Sequence, residues 1–189
     1  MRNFLPLLLI IVGLGCLLYS GWQLFFMNSQ EKQALETAKQ VVANHKANAQ
    51  PKGRVQVRDG DVIGILHIPR LKRDLPIISG TDEDDLKRGV GHYKGTALPD
   101  EGDQILLSGH RDTVFRQMGE MEIGDELIVE MSYGTFHYNI IDTDIVDADD
   151  RTVIRSTAPD EILTLSTCYP FNYVGNASER FIIYAKRSS

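Results

Sequence analysis

The chain opens on a long apolar run and continues as short apolar runs separated by polar and turn residues. The opening run, residues 4–26, is 23 residues long and contains no charged side chain. About 20 apolar residues allow a helix to cross a hydrocarbon core of ~30 Å. The pattern therefore predicts a transmembrane helix, and it disfavours the alternative of a buried helix in a soluble core.

The flanks of this run predict how it lies in the membrane. Bulky residues follow it where a signal peptidase would need a small-x-small site, which indicates an uncleaved signal anchor. Tyr19 and Trp22 stand near its far end, where interfacial aromatic residues concentrate. Arg2 and the terminal amine favour a cytoplasmic N-terminus. The rest of the chain is therefore expected to be extracellular.

The segment after the anchor is rich in helix formers and carries a thin apolar stripe of Leu35, Ala38 and Val42. Pro51 and Gly53 then interrupt the helical pattern. These changes predict three parts: a cytoplasmic end and membrane anchor in 1–29, a helical stalk and linker in 30–54, and a folded domain in 55–189.

Within the folded domain, the apolar runs are short and rich in β-branched and aromatic residues, as strands are. The runs lie at 62–68, 75–78, 104–108, 126–131, 135–146, 161–167 and 181–186. Helical patterns are confined to 81–88 and 114–120. The pattern predicts an all-β fold with short helices, and closure into a barrel would protect the strand edges.

Composition then excludes some classes of protein. The chain has 20 Lys and Arg against 26 Asp and Glu, a net charge of −6, and its basic residues are scattered among acids. Nucleic-acid binding requires clustered basic side chains, so nucleic acid is not expected as a partner. The acidic clusters at 82–85 and 142–150 lack the ligand spacing of a calcium loop and are interpreted as solvated surface. No metal ion or cofactor is predicted.

The two cysteines have different settings. Cys16 lies in the apolar run, which leaves Cys168 as a single thiol in a domain expected outside the membrane. Cys168 ends one predicted strand and Arg180 begins the next. If these strands pair antiparallel, both side chains lie at one end of the sheet. The guanidinium would then favour the thiolate and offer hydrogen bonds to an oxyanion. The alternative is a small buried hydrophobic residue.

A nucleophilic thiol needs an acid–base partner, and histidine titrates in the required range. Of the five histidines, His110 stands where a strand ends and a loop begins, a position typical of functional residues. Surface or packing roles are predicted for the other four: His45, His67, His92 and His137. Asp112 is interpreted as a turn residue in preference to an orienting acid for His110.

The strand that ends at Cys168 reads Thr164-Leu-Ser-Thr-Cys168, which resembles the Thr-Leu-x-Thr-Cys signature of the sortases. Gly109-His110 upstream and Arg180 downstream resemble the histidine and arginine of that family. The resemblance implies a closed eight-stranded β-barrel behind a transmembrane helix, and an extracytoplasmic cysteine transpeptidase of a Gram-positive bacterium. It implies that Cys168, His110 and Arg180 are catalytic. Thr167 is either a donor to the substrate or an ordinary strand residue.

The resemblance also implies the reaction. A Leu-Pro-x-Thr-Gly-like sorting signal is cleaved after its threonine through a thioacyl intermediate, and the surface protein is joined to an amine of a lipid-linked peptidoglycan precursor. The run Cys168-Tyr-Pro-Phe171 most resembles class D sortases, with classes A and E left open. Two other functions stay open: an L,D-transpeptidase-like cell-wall enzyme, and an anchored β-barrel that binds without catalysis.

Overall fold

The structure, a computed structural model, describes residues 4–48, 57–172, 175 and 177–188. It begins with one continuous helix, α1, Phe4–Asn48, of 45 residues. The window Pro6–Gln23 has a mean hydropathy of 1.6, and none of it is buried in the protein, so it is long and apolar enough to cross a membrane. The predicted anchor and the predicted stalk are therefore parts of the same helix.

Eight strands and one short helix follow α1. They are β1 Val62–Ile68, β2 Arg73–Ser79, α2 Glu83–Leu86, β3 Val90–His92, β4 Gln104–Gly109, β5 Glu126–Met131, β6 Gly134–Asp147, β7 Ile162–Tyr169 and β8 Glu179–Arg187. The strands close into a barrel in the order β1-β2-β3-β4-β7-β8-β6-β5. The predicted closed eight-stranded barrel with short helices is confirmed.

The barrel is mixed, because two of its strand pairs are parallel. β2 pairs in parallel with β3, and β4 pairs in parallel with β7. The other neighbours are antiparallel, including the β5–β6 hairpin and the β7–β8 pair. Since parallel neighbours end at the same edge of a sheet, the β4–β7 pair brings two distant chain segments to one end of the barrel.

Alternate side chains of the central strands fill the barrel interior. Ile105 and Leu107 of β4, Leu163 and Leu165 of β7, and Ile183 of β8 are all at most 1% exposed and share one apolar core. Because successive strand residues point to opposite faces, Cys168 faces outward while Thr167 faces the interior.

The stalk half of α1 packs against the outside of the barrel. Ala38 is fully buried and Val42 is 4% exposed, and both contact Ile65 of β1. An ion pair of 3.0 Å between Arg73 and Glu31 adds to this contact. The predicted apolar stripe thus has a partner, since it is covered by the barrel. The predicted boundary between residues 54 and 55 lies outside the described residues.

Three sequence-based element predictions differ from the structure. β3 was not among the predicted strands, and its three residues pair with β2 and β4. The helix predicted for 81–88 is limited to the single turn of α2, which an Asp82–Asp85 capping box begins. Of the helix predicted for 114–120, only a 3-10 turn, Met118–Glu120, forms.

Candidate active site

Three neighbouring strands bring the predicted catalytic residues to one end of the barrel. In the β4–β7 pair, Gly109 lies opposite Thr167, so the next residue, His110, is level with Cys168. In the antiparallel β7–β8 pair, Cys168 lies opposite Arg180. Directly paired residues point to the same face of a sheet. The thiol and the guanidinium therefore share the outer face at the strand ends, with the histidine at the end of the strand beside them.

Cys168 is a free, half-buried cysteine. The other cysteine, Cys16, is also free and lies on the exposed surface of the apolar half of α1. Cys168 is thus a thiol that solvent reaches in part, and its direct strand partner is Arg180, which carries a permanent positive charge. This setting suits a nucleophile better than a purely apolar packing role.

A tight turn holds the backbone of His110 at the end of β4. Its carbonyl oxygen accepts hydrogen bonds from the amides of Thr113 at 3.3 Å and Phe115 at 3.1 Å. The Phe115 ring is fully buried and lies directly over Gly109, where a Cβ atom would stand 2.7 Å from Cδ2 of the ring. Glycine at 109 is therefore needed for the turn to fold back on the strand.

The other described histidine side chains have partners of their own. His67 lies between Asp74 at 2.8 Å and Glu130 at 3.2 Å. The ring of His137 is 2.8 Å from Glu126. His92 is buried, with Nε2 2.9 Å from the Ala97 carbonyl, and burial lowers its pKa below the usual value. These contacts agree with surface and packing roles. The side chain of His45 lies outside the described residues.

Thr167 joins the two parallel strands at the point where they end. Its hydroxyl donates a 2.8 Å hydrogen bond to the Gly109 carbonyl, and the residue is 4% exposed. The predicted donation to substrate would require exchange of this hydrogen bond. In the structure as it stands, Thr167 fixes the residue directly before His110.

The guanidinium of Arg180 contacts its own loop. Nη1 donates to the carbonyls of Ala177 at 3.2 Å and Glu179 at 2.9 Å. Both bonds use the same nitrogen, so a contact with substrate falls to Nε or Nη2 of the fork. Arg180 can therefore donate to an oxyanion without giving up its hydrogen bonds to Ala177 and Glu179.

One residue at this end was not singled out from the sequence. Arg111 is 6% exposed, and its guanidinium donates to the carbonyl of Pro170 at 3.0 Å and of Gly175 at 2.8 Å. Its only sequence signal was its place beside His110, which does not distinguish a buried arginine from a surface one. Asp112 is exposed and lies 3.6 Å from Nε of Arg111, in keeping with its interpretation as a turn residue.

Aromatic rings pack together at this end of the barrel, on the face of β7 and β8 opposite to Cys168. Phe171 meets Tyr169 and Phe181 edge to face, with centroid separations of 5.6 and 5.4 Å. Its ring also covers Gly119, where a Cβ atom would stand 2.9 Å from it. The loop after Cys168 is therefore packed on its apolar side. Among the described residues, no three His, Cys, Asp or Glu side chains form a group suited to a metal ion.

Comparison with known proteins agrees with this geometry. The family model of the Sortase domain matches residues 66–188. Sortase D of Bacillus subtilis (strain 168) is 46% identical, with 99% of each chain covered. The sortase D5 transpeptidase of Clostridium perfringens superposes with a TM-score of 0.71 at 25% identity, covering 85% of this chain and 99% of that one. Sortase C1 of Streptococcus suis gives a TM-score of 0.64 at 25% identity, over 69% and 74% of the two chains.

A family match over more than half of the chain and a likeness to a sortase D along its whole length lead to one conclusion: this chain belongs to the sortase family, the cysteine transpeptidases, and is similar to its sortase D members.

Proposed function

We propose that this sortase cleaves a Leu-Pro-x-Thr-Gly-like sorting signal after its threonine and joins the new carboxyl end to an amine of a cell-wall precursor. The observation that best supports the proposal is the position of His110, Cys168 and Arg180 at the ends of three neighbouring strands. Nucleophile, acid–base group and oxyanion donor are the three functions that acyl transfer requires.

In the first half of the reaction, the Cys168 thiolate attacks the threonine carbonyl carbon. Arg180 donates hydrogen bonds to the oxygen on which negative charge develops, and it remains charged because a guanidinium is not deprotonated in proteins. His110, as imidazolium, gives its proton to the amine that leaves. The products are a thioester between the signal and Cys168, a free amine, and a neutral imidazole.

In the second half, the acceptor amine attacks the thioester carbon. His110 takes the proton that this amine loses, the C–S bond breaks, and the thiolate returns to Cys168. The new bond is an amide between the surface protein and the precursor. If water attacks the thioester in place of the amine, the surface protein is released by hydrolysis and is not joined to the precursor.

The test uses the full-length chain in detergent micelles, a panel of sorting-signal peptides that varies the x residue and the residue after threonine, and an added amine. Mass spectrometry should show a threonyl product joined to the amine. Cys168→Ala should abolish cleavage, while Cys16→Ala, which removes the chain's other cysteine, should retain it. Cleavage by Cys168→Ala, or no cleavage of any peptide by the unaltered chain, would refute the proposal.

The roles of the two assisting residues are measured in the same assay. His110→Ala should lower kcat by about 10²–10⁴-fold, the range for loss of a general acid–base group. Arg180→Lys keeps the charge but removes the planar fork, so it should lower kcat while the thiol still reacts with iodoacetamide. A kcat near that of the unaltered chain in either variant would remove that residue from the mechanism.

We propose further that the N-terminus is cytoplasmic and the barrel extracellular, which places Cys168 on the side where surface proteins emerge. The support is the apolar span of α1 with Arg2 before it and Trp22 near its far end. In intact cells that carry Cys16→Ala, a membrane-impermeant maleimide should label Cys168. Labelling that appears only after lysis would reverse the assigned orientation.

A further inference from the structure

Arg111 is a buried charge that belongs to one loop and is bonded to another. It follows His110 at the end of β4, and its side chain is 5% exposed. Removal of a guanidinium from water costs free energy unless hydrogen bonds and charge compensate it. Here two backbone carbonyls accept from it, and the carboxylate of Asp112 lies 3.6 Å from Nε.

The two carbonyls are placed within the loop that joins the strands of the other two site residues. Pro170 follows Cys168 by two positions, and Gly175 precedes Arg180 by five. One planar fork therefore contacts the loop at its first residue and again near its middle, at 3.0 Å to Pro170 and 2.8 Å to Gly175. Arginine can bridge two acceptors in this way because its donors are fixed in one plane, whereas lysine presents a single nitrogen.

The opposite side of this loop is held by packing. Phe171 contacts Phe181, which lies opposite Thr167 in the β7–β8 pair, and it also covers Gly119. The loop thus has an apolar anchor to its own sheet and a polar anchor to the residue after His110. The apolar anchor reaches the β4–β5 connection only at Gly119, nine residues after His110, whereas the polar anchor meets it at the residue next to the histidine.

We propose that Arg111 is a positioning residue of the transpeptidase, which acts through Pro170 and Gly175 to hold Cys168 and Arg180 in place beside His110. The inference rests on the proposed function, since it assigns Arg111 to the same reaction. In this role the side chain of Arg111 makes no contact with the substrate. Loss of its two hydrogen bonds lets the loop shift, and a shift of ~1 Å at a reacting centre costs about 10²-fold in rate.

The experiment compares Arg111→Lys and Arg111→Met with Tyr138→Phe in the full-length chain in micelles. Tyr138 is buried and donates a 2.7 Å hydrogen bond to Glu161, which directly precedes β7 at the end of the barrel opposite Cys168. Tyr138→Phe is therefore the control for a loss of stability away from the site. Turnover of a cleaved peptide, melting temperature and amide hydrogen exchange in the β7–β8 loop are measured for each.

Both Arg111 variants should lower kcat by about 10- to 100-fold with a much smaller change in KM. Exchange in the β7–β8 loop should be faster in both. The Tyr138→Phe control should melt lower but keep its kcat and its loop exchange. A kcat within threefold of the unaltered chain in Arg111→Lys, or activity lost only in proportion to the unfolded fraction, would overturn the inference.

The exchange measurement separates this inference from the proposed function. If the unaltered chain cleaves no sorting-signal peptide, the proposed function fails. Amide hydrogen exchange in the β7–β8 loop and the rate of Cys168 alkylation would still report whether Arg111 holds the loop. Exchange and alkylation rates unchanged by both Arg111 variants would refute the positioning role by themselves.

Discussion

At the scale of single residues, two buried charges hold the two ends of the barrel. Arg111 binds the β7–β8 loop at the end that carries Cys168. Glu161, 7% exposed, accepts from the Tyr138 hydroxyl and from the guanidinium of Arg187 at the opposite end. Each charge is buried with several hydrogen-bond partners, which is the condition under which burial of an ionised group is tolerated.

Tyr138→Phe is expected to destabilise the protein without a change in turnover. It removes a neutral donor from a buried carboxylate, and hydrogen bonds to charged groups contribute about 1.5–3 kcal/mol. Glu161 lies about 23 Å from Cys168 along the strand at ~3.3 Å per residue, so the site is not affected. Denaturant unfolding of the full chain in micelles measures the loss. A stable variant would show that the remaining partners of Glu161 suffice.

His92 is expected to make the protein less stable in mild acid. Burial lowers its pKa in the folded state below the usual 6.5, so the unfolded chain binds more protons as the pH falls below 6.5. The free energy of unfolding should therefore decrease with falling pH in this window, by no more than about 1.4 kcal/mol per pH unit for one group.

The matching variant for His92 is His92→Gln, whose amide keeps a donor for the Ala97 carbonyl. Between pH 6.5 and pH 5, its unfolding free energy should depend less on pH than that of the unaltered chain. If the unfolding free energy changes with pH equally in both proteins, groups other than His92 cause the loss of stability in acid.

At the scale of elements, the end of β4 packs closely against both β7 and the turn that follows β4. Gly109 accepts the Thr167 hydroxyl bond through its carbonyl, and its Cα lies under the Phe115 ring. Strand and turn therefore meet with no room for a side chain, and the residue that follows is His110. The position of the histidine therefore depends on the contacts of Gly109 and Thr167.

Gly109→Ala is expected to lower activity more than stability would explain. The added Cβ would stand 2.7 Å from side-chain atoms of both Phe115 and Val114, so the turn must move away from the strand. Displacement of His110 should reduce kcat by at least about 10-fold. Peptide turnover measured well below the melting temperature tests this. Wild-type turnover in a destabilised Gly109→Ala protein would show that the turn relaxes without shifting the ring.

The sequence predicts the elements that have a strong local pattern and misses those that depend on contacts. Seven strands follow from runs of apolar residues. β3 has only three residues, with a glycine in the middle, and it is a strand because β2 and β4 flank it. The side-by-side placement of Cys168 and Arg180 follows from antiparallel pairing of consecutive strands. Burial of Arg111 depends on a loop 59 residues away in sequence, which no local pattern encodes.

At the scale of the whole molecule, one helix carries both the apolar span and the stripe that packs on the barrel. α1 continues past the apolar span without interruption and packs on β1 through Ala38 and Val42. Closer to the N-terminus of α1, Trp22 and Phe26 line a groove of about 510 Å³ with Arg88, which follows α2. The stalk half of α1 thus packs on the barrel, while a groove lies between the two elements closer to the apolar span.

Ala38→Asp is expected to release the stalk half of α1 from the barrel. Ala38 is fully buried in a cluster with Val42 and Ile65, so the new carboxylate would be buried without a partner. Amide exchange in residues 34–43 should increase, while exchange in β7 and β8 should not. Thr37→Asp, on the exposed side of the same turn, is the control. Equal exchange in the two variants would show that the packing does not hold the helix.

The register of β4 with β7 decides which side chain at the end of β7 meets solvent. Register in a strand has a period of two, so a slip of one residue would turn Cys168 into the apolar interior and bring Thr167 to the surface. The thiol of a chain with that error would be enclosed among apolar side chains, where neither a peptide nor an acceptor could reach it. One shift in strand register would therefore remove the nucleophile without any change of sequence.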